Sequence, residues 1–160
     1  MNSLYYPEKW HFLRQELATL QAEGKTVIFT NGCFDLLHEG HADLLRKSAE
    51  LGDVLVVGLN SDTGVHRLKG EERPVQTEAE RAKALLELDA VDAVAVFQED
   101  IPWNIVHALK PDYITKGGDY APDNVVGADL VKDVIIFPLK EGFSTTATIQ
   151  KMKLKRSDNV

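Results

Sequence analysis

The sequence predicts an α/β protein: a doubly wound, five-stranded parallel sheet with helices on both faces. Two observations carry that expectation. Runs at Thr26–Thr30, Val54–Leu59, Val91–Phe97, Asp112–Thr115 and Val134–Phe137 largely lack the polar alternation of a half-exposed strand, as strands covered on both faces do. Between them lie segments with apolar residues at helical spacing, and right-handed crossovers through such helices make the sheet parallel. The length of 160 residues and the 44% hydrophobic content fit one domain over 1–160 with its own core.

Taken in order, Trp10, Leu13, Leu17 and Leu20 mark a helix from about Pro7 to Glu23 that Gly24 stops, giving an N-terminal helical extension over residues 1–24. The first strand follows, then a helix carrying Leu44, Leu45 and Ala49 that ends near Leu51-Gly52. The second strand runs into Asn60-Ser61-Asp62, polar residues at the rim where open α/β sheets bind ligands; loop capping explains them equally well. Arg67 to Pro74 reads as a charge-rich connection, in which Arg67, Lys69 and Arg73 are residues that solvated loops carry routinely. Thr77-Glu78-Ala79-Glu80 is a capping box opening a helix buried through Ala79, Ala82, Leu85 and Leu86. Arg81 in its first turn opposes the helix dipole, which suggests that it meets an anion.

A short helix over Pro102–Leu109 separates the third and fourth strands. The fourth enters Lys116-Gly117-Gly118-Asp119-Tyr120, where paired glycines make a turn or admit a ligand to the backbone. A short helix through Val125 and Val126 leads to the fifth strand. Ser144, Thr145 and Thr146 then open a last helix, where three hydroxyls exceed the needs of an N-cap and, with Lys140, suit phosphate. Residues 154–160 form a polar, frayed tail. In the Rossmann-like strand order 3-2-1-4-5, these rims share one crevice at the switch point.

The chemistry concentrates in Thr30 to His41, which turns a buried strand into a helix start. Such a start presents unpaired N–H groups and the positive end of the helix dipole. His38 and His41 lie three residues apart on one side of its first turn, and Gly40 leaves room for close approach. Together they suit phosphate oxygens whose charge grows in a transition state. His38-Glu39-Gly40-His41 is one residue short of H-E-x-x-H, so a zinc protease is disfavoured, and Gly32 and Gly40 are too far apart for a dinucleotide fingerprint.

A net charge of -7 argues against a nucleic-acid binder but leaves small anionic substrates open. The single cysteine, Cys33, excludes an internal disulfide and suits a reducing cytoplasm. Met1 to Trp10 has no apolar core, so no signal peptide is expected, and no apolar run approaches membrane-spanning length.

Gly32-x-Phe34-Asp35-x-x-His38-x-Gly40-His41 resembles the first signature of the H-x-G-H nucleotidylyltransferases. Arg67-Leu68-Lys69-Gly70 with Arg73-Pro74-Val75, Lys116 to Tyr120, and Ser144 to Thr146 extend the likeness to the D-glycero-D-manno-heptose 1-phosphate adenylyltransferases within that family, over Lys25 to about Lys153. The resemblance implies catalysis by His38, His41 and Lys69, and nucleotide binding by Thr30, Asn31, Gly32, Cys33, Phe34, His38, Gly40, His41, Arg81, Lys116, Gly117, Asp119, Ser144, Thr145 and Thr146. Asp35, Asn60, Asp62, Lys69 and Lys140 are the expected acceptor contacts, although cytidylyltransferases tend to carry Arg where Lys140 stands. The implied substrates are ATP and a phosphosugar, with Mg2+ held through the triphosphate rather than by the protein alone. A homodimer is implied as well, and the missing kinase half of many relatives implies a stand-alone enzyme. The alternative is a cytidylyltransferase acting on glycerol 3-phosphate or another polyol phosphate.

Overall fold

The computed structural model of the chain describes residues 2–118 and 121–138. Asp119, Lys140, Ser144, Thr145 and Thr146, with the last helix and tail expected beyond them, lie outside the described residues. Among the described residues six strands form one parallel sheet: β1 (Ser3–Tyr5), β2 (Val27–Gly32), β3 (Val54–Asn60), β4 (Ala93–Phe97), β5 (Tyr113–Gly117) and β6 (Asp133–Phe137), in the order β1-β4-β3-β2-β5-β6. The expected five-stranded sheet in the order 3-2-1-4-5 is thereby corrected: a strand is added at the edge beyond β4. Three residues are too few to register as a strand pattern. Pairing of Ser3, Leu4 and Tyr5 with Ala93, Val94 and Ala95 decides the matter instead. The sequence pattern assigns the same stretch to a helical extension over residues 1–24. That helix, α1 (Trp10–Ala22), begins after a short 3-10 turn and anchors to the sheet through Trp10 Nε1, which donates to Val96 O at 3.0 Å.

The remaining α-helices of the described residues are α2 (Glu39–Glu50), α3 (Asp62–Lys69), α4 (Glu78–Leu86) and α5 (Trp103–Leu109). Alternating strand residues feed two cores, one on each face. Val27, Phe29, Val54 and Val56 pack with Leu13 and Leu17 of α1 and Ile105, Val106 and Leu109 of α5. Ile28, Leu55, Val57 and Leu59 pack with Leu45 of α2 and Ala82 and Leu85 of α4. Two-sided burial is why the strands read as continuous apolar runs.

Three local expectations change, the first being that Ala79 of α4 is exposed rather than buried. The connection carrying Arg67 and Lys69 is helical as far as Lys69, because Ser61 caps it by accepting from Gly64 N at 3.1 Å. Val125 and Val126 lie between 3-10 turns at Pro122–Asn124 and Ala128–Leu130 rather than on a helix.

The strands surrounding β2 position the site. β2 pairs with β3 over six residue pairs, Val27 to Gly32, but with β5 only at Ile28–Tyr113 and Phe29–Ile114. Beyond that point a side chain takes over from the ladder: Thr30 Oγ1 donates to Thr115 O at 3.0 Å, and Thr115 Oγ1 shares a 2.7 Å hydrogen bond with Ser48 Oγ of α2. The carboxyl ends of β2 and β5 therefore part at the switch point of the sheet.

Candidate active site

The site is built on the start of α2. His38 is its N-cap, with extended backbone (φ -125°, ψ 176°), and its Nδ1 accepts from His41 N at 3.3 Å. His41 Nδ1 accepts in return from His38 N at 3.4 Å. This is a capping box made of two imidazoles. Because both Nδ1 atoms accept, the hydrogen-bond pattern assigns the neutral rings' protons to Nε2. The rings stack with centroids 3.7 Å apart, and the Phe34 ring meets His41 edge-on at 5.3 Å. Burial, followed by the charges of His38 and Lys69, depresses His41 to about 4; burial also lowers His38. Near neutral pH the pair thus acts as oriented neutral donors.

Phe34 and Leu36 adopt left-handed backbone, at φ 46° and 56°. Asp35 between them holds that shape. Its buried carboxylate accepts from Val75 N at 2.8 Å, Gln76 N at 3.0 Å and Arg73 Nε at 2.9 Å, while Leu36 N donates to Gln76 Oε1 at 3.1 Å. Burial opposes ionisation of Asp35, but these donors outweigh it and hold the carboxyl below its ordinary range. Gly32 lets the loop fold back: a Cβ there would lie 3.0 Å from the Phe34 ring.

Arg81, whose helix position suggests that it meets an anion, pairs with a carboxylate of the protein itself, that of Asp62. It is fully buried and donates from Nε to Gln76 O at 3.1 Å, from Nη1 to Cys33 O and Asn60 O, each at 2.8 Å, and from Nη2 to Asp62 Oδ1 at 2.8 Å. It joins the ends of β2 and β3 to α4, and the dipole it opposes is offset by these acceptors. Asn60 is buried and Asp62 engaged by the same arginine, whereas Thr30 is sealed beneath the cleft.

Around the loop the charge is positive. The thiol of Cys33 is pushed up by burial, and Lys69, Arg81 and Arg73 partly offset that; Lys69 is also felt at His41 and Lys116. Burial lowers Lys116, with Lys69 adding to the effect. His38, His41, Cys33, Lys69 and Lys116 are thus one electrostatic neighbourhood. Lys116 and Asn31 also line a cavity of about 120 Å³, closed by Pro102, Asn124, Val125 and Val126. Asn124 had no signal in the sequence, since only tertiary packing brings its turn to the strand ends. A larger hollow of about 450 Å³ lies between α5 and the segment before β6, beside Asp112 and Lys132 at the amino ends of β5 and β6, away from this chemistry. Gly117 ends β5, and Gly118 takes the turn at φ 118°.

A parallel sheet with a polar helix start at its switch point, ringed by cations, defines a nucleotide-handling α/β protein. Residues 29–151 match the cytidylyltransferase-like family, and the chain belongs to that family of nucleotidyltransferases. It is 48% identical over 146 residues to the bifunctional protein HldE of Helicobacter pylori strain J99, an alignment covering 91% of this chain and 32% of that protein. It is 50% identical over 134 residues to the bifunctional protein HldE of a Nitratiruptor species, covering 84% and 29%. The chain spans about a third of the length of these relatives. A crystal structure of the lipopolysaccharide core biosynthesis protein from Thermoplasma volcanium superposes with a TM-score of 0.60 at 30% identity, covering 73% of this chain and 98% of that one. No helix among the described residues is long and apolar enough to cross a membrane.

Proposed function

We propose that the protein transfers AMP from ATP to a sugar 1-phosphate, D-glycero-D-manno-heptose 1-phosphate being the specific acceptor, and releases pyrophosphate. One observation carries this reading: the reciprocal His38–His41 cap stands beside the cleft where β2 and β5 part. The cap aims two Nε2–H donors and a helix N-terminus at a polyphosphate. The cavity lined by Asn31, Lys116 and Asn124 offers amides and an ammonium to a hydroxylated, anionic acceptor. The likeness to the bifunctional proteins HldE and to the lipopolysaccharide core biosynthesis protein supports a phosphosugar acceptor, and the sequence motifs favour a heptose phosphate.

An acceptor phosphate oxygen attacks the α-phosphorus of ATP, and the bond to the bridging oxygen of the leaving pyrophosphate breaks. The attacking group is already ionised near neutral pH, its second pKa being about 6, so the protein supplies no general base. His38 and His41 hold the phosphate oxygens in line, and Lys69 offsets charge that grows as pyrophosphate departs. A magnesium ion on the triphosphate would neutralise charge there. Asp35 and Asp62 are committed to protein donors, which favours an ion carried mainly by phosphate oxygens and water. A cytoplasmic homodimer belongs to the same proposal, with its assembly read by sedimentation.

The deciding experiment is a pyrophosphate-release assay crossing ATP and CTP with heptose 1-phosphate and glycerol 3-phosphate. Turnover with ATP and the heptose phosphate is expected. Preference for CTP with glycerol 3-phosphate would replace this reading with a polyol-phosphate cytidylyltransferase.

A further inference from the structure

We propose that Arg73 is a phosphate-binding residue of this site, held ready by Asp35 with its two terminal nitrogens directed to a substrate phosphate. The inference rests on the adenylyl-transfer reading and adds a contact to it. The two arginines near the loop are used in opposite ways. Arg81 is fully buried, and four of its donors end on protein oxygens. Arg73 makes one side-chain hydrogen bond among the described residues, from Nε to Asp35 Oδ2 at 2.9 Å. That leaves the face of the guanidinium carrying both Nη groups for another acceptor.

Three features favour an anion there. The Arg73 side chain is only 12% exposed and its partner carboxylate is fully buried, so the guanidinium is fixed rather than sweeping through solvent. Its charge reaches the Cys33 thiol, in the same loop as Phe34 and five residues before His38. The carboxylate that fixes it is already engaged by two backbone N–H groups, so Arg73 is not the sole compensation of Asp35. A guanidinium oriented through Nε can engage phosphate in a forked contact with its Nη pair. The phosphate belongs either to the triphosphate or to the acceptor.

The test uses the full chain with Arg73→Gln, Arg73→Lys, Asp35→Asn and the double variant Arg73→Gln/Asp35→Asn. ATP affinity is measured directly by calorimetry, and the KM for each substrate by pyrophosphate release. Arg73→Gln is expected to weaken one phosphate substrate on the order of ten- to a hundredfold, and Arg73→Lys less, since the ammonium keeps the charge although it cannot serve Asp35 and the phosphate together. The double variant removes both members of the ion pair. If it recovers thermal stability but keeps the affinity loss, Arg73 touches substrate. If it recovers affinity as well, the pair is structural and the proposal fails. A loss confined to ATP places the contact on the triphosphate, and one confined to the acceptor KM places it there. Unchanged affinities in Arg73→Gln and Arg73→Lys overturn the proposal. Should wild type bind ATP yet transfer to no phosphosugar, the adenylyl-transfer reading fails alone, and the calorimetric arm then decides: unchanged ATP affinity rejects Arg73.

Discussion

The two sides of the cleft are built to opposite specifications. On the α2 side, several polar groups of residues 30–41 are tied inward: Thr30 to Thr115, Asp35 to the 73–76 segment, the carbonyl of Cys33 to Arg81, and the histidines to each other. By contrast, residues 66–72 are all exposed; within the segment Arg67 donates to Asp100 Oδ1 at 2.9 Å and to Gln98 O, and the other ties described lie beyond its ends. At the front, Asp62 N donates to Glu78 Oε1 at 3.0 Å and Asp62 Oδ1 accepts from Arg81; at the back, Asp35 holds Val75 and Gln76. One side is preorganised for charge that develops, whereas the other carries Lys69 on a strap that can adjust to what is bound. Stability and activity should therefore separate between the two sides.

The largest effect is expected where the inward ties converge. Arg81→Met leaves the Cys33, Asn60 and Gln76 carbonyls without their donor, and loss of one member of a buried charged network costs about 3–5 kcal/mol. Chemical denaturation should show a midpoint well below wild type. A loss within about 0.5 kcal/mol would mean that the ends of β2 and β3 hold together without it.

Acid should act on the same side. His41 is lowered in the folded protein to about 4, so below its unfolded value of 6.5 the unfolded chain binds the additional proton. Stability is fully present above 6.5 and falls as pH drops toward 4, by at most roughly 3 kcal/mol. His38 shifts in the same direction, and Asp35 extends the loss below its ordinary carboxylate range. Urea titrations at pH 7, 5.5 and 4.5 measure the slope; His41→Ala should flatten it, and an unchanged slope would assign the acid sensitivity elsewhere. The same variant should lower turnover by about a hundredfold, the usual size for one oriented donor at developing charge. Turnover within threefold of wild type would remove the imidazole from the reaction.

The sequence made the sheet legible because strands buried on both faces leave long apolar runs, and it made His38 and His41 legible because a strand-to-helix turn with paired imidazoles is a local pattern. Neither the edge strand nor Arg81 could be read in this way. Ser3–Tyr5 becomes a strand by pairing with β4, about ninety residues away in sequence. Arg81 occupies an unfavourable helix position for a reason 48 residues upstream, the Cys33 carbonyl, and an unpaired cation in a first turn looks the same in sequence whether it faces ligand or protein. Arg73 illustrates the converse: within its loop it resembles any solvated charge, and only Asp35 distinguishes it.

Lys69 gives the smallest expected effect and the cleanest contrast. It ends α3 with its side chain exposed, and no carboxylate of the described residues lies within ion-pair distance of it. Lys69→Ala should leave stability within about 0.5 kcal/mol of wild type, as surface substitutions do. It should still lower kcat about tenfold, since the ammonium's charge already reaches His41 and Lys116 before substrate arrives. Because the strap adjusts to what is bound, the loss should fall on kcat more than on the KM for ATP, the signature of a contact formed mainly in the transition state. A rise in KM alone would make Lys69 a ground-state tether, and a fall in stability equal to that of Arg81→Met would erase the distinction between the two sides of the cleft.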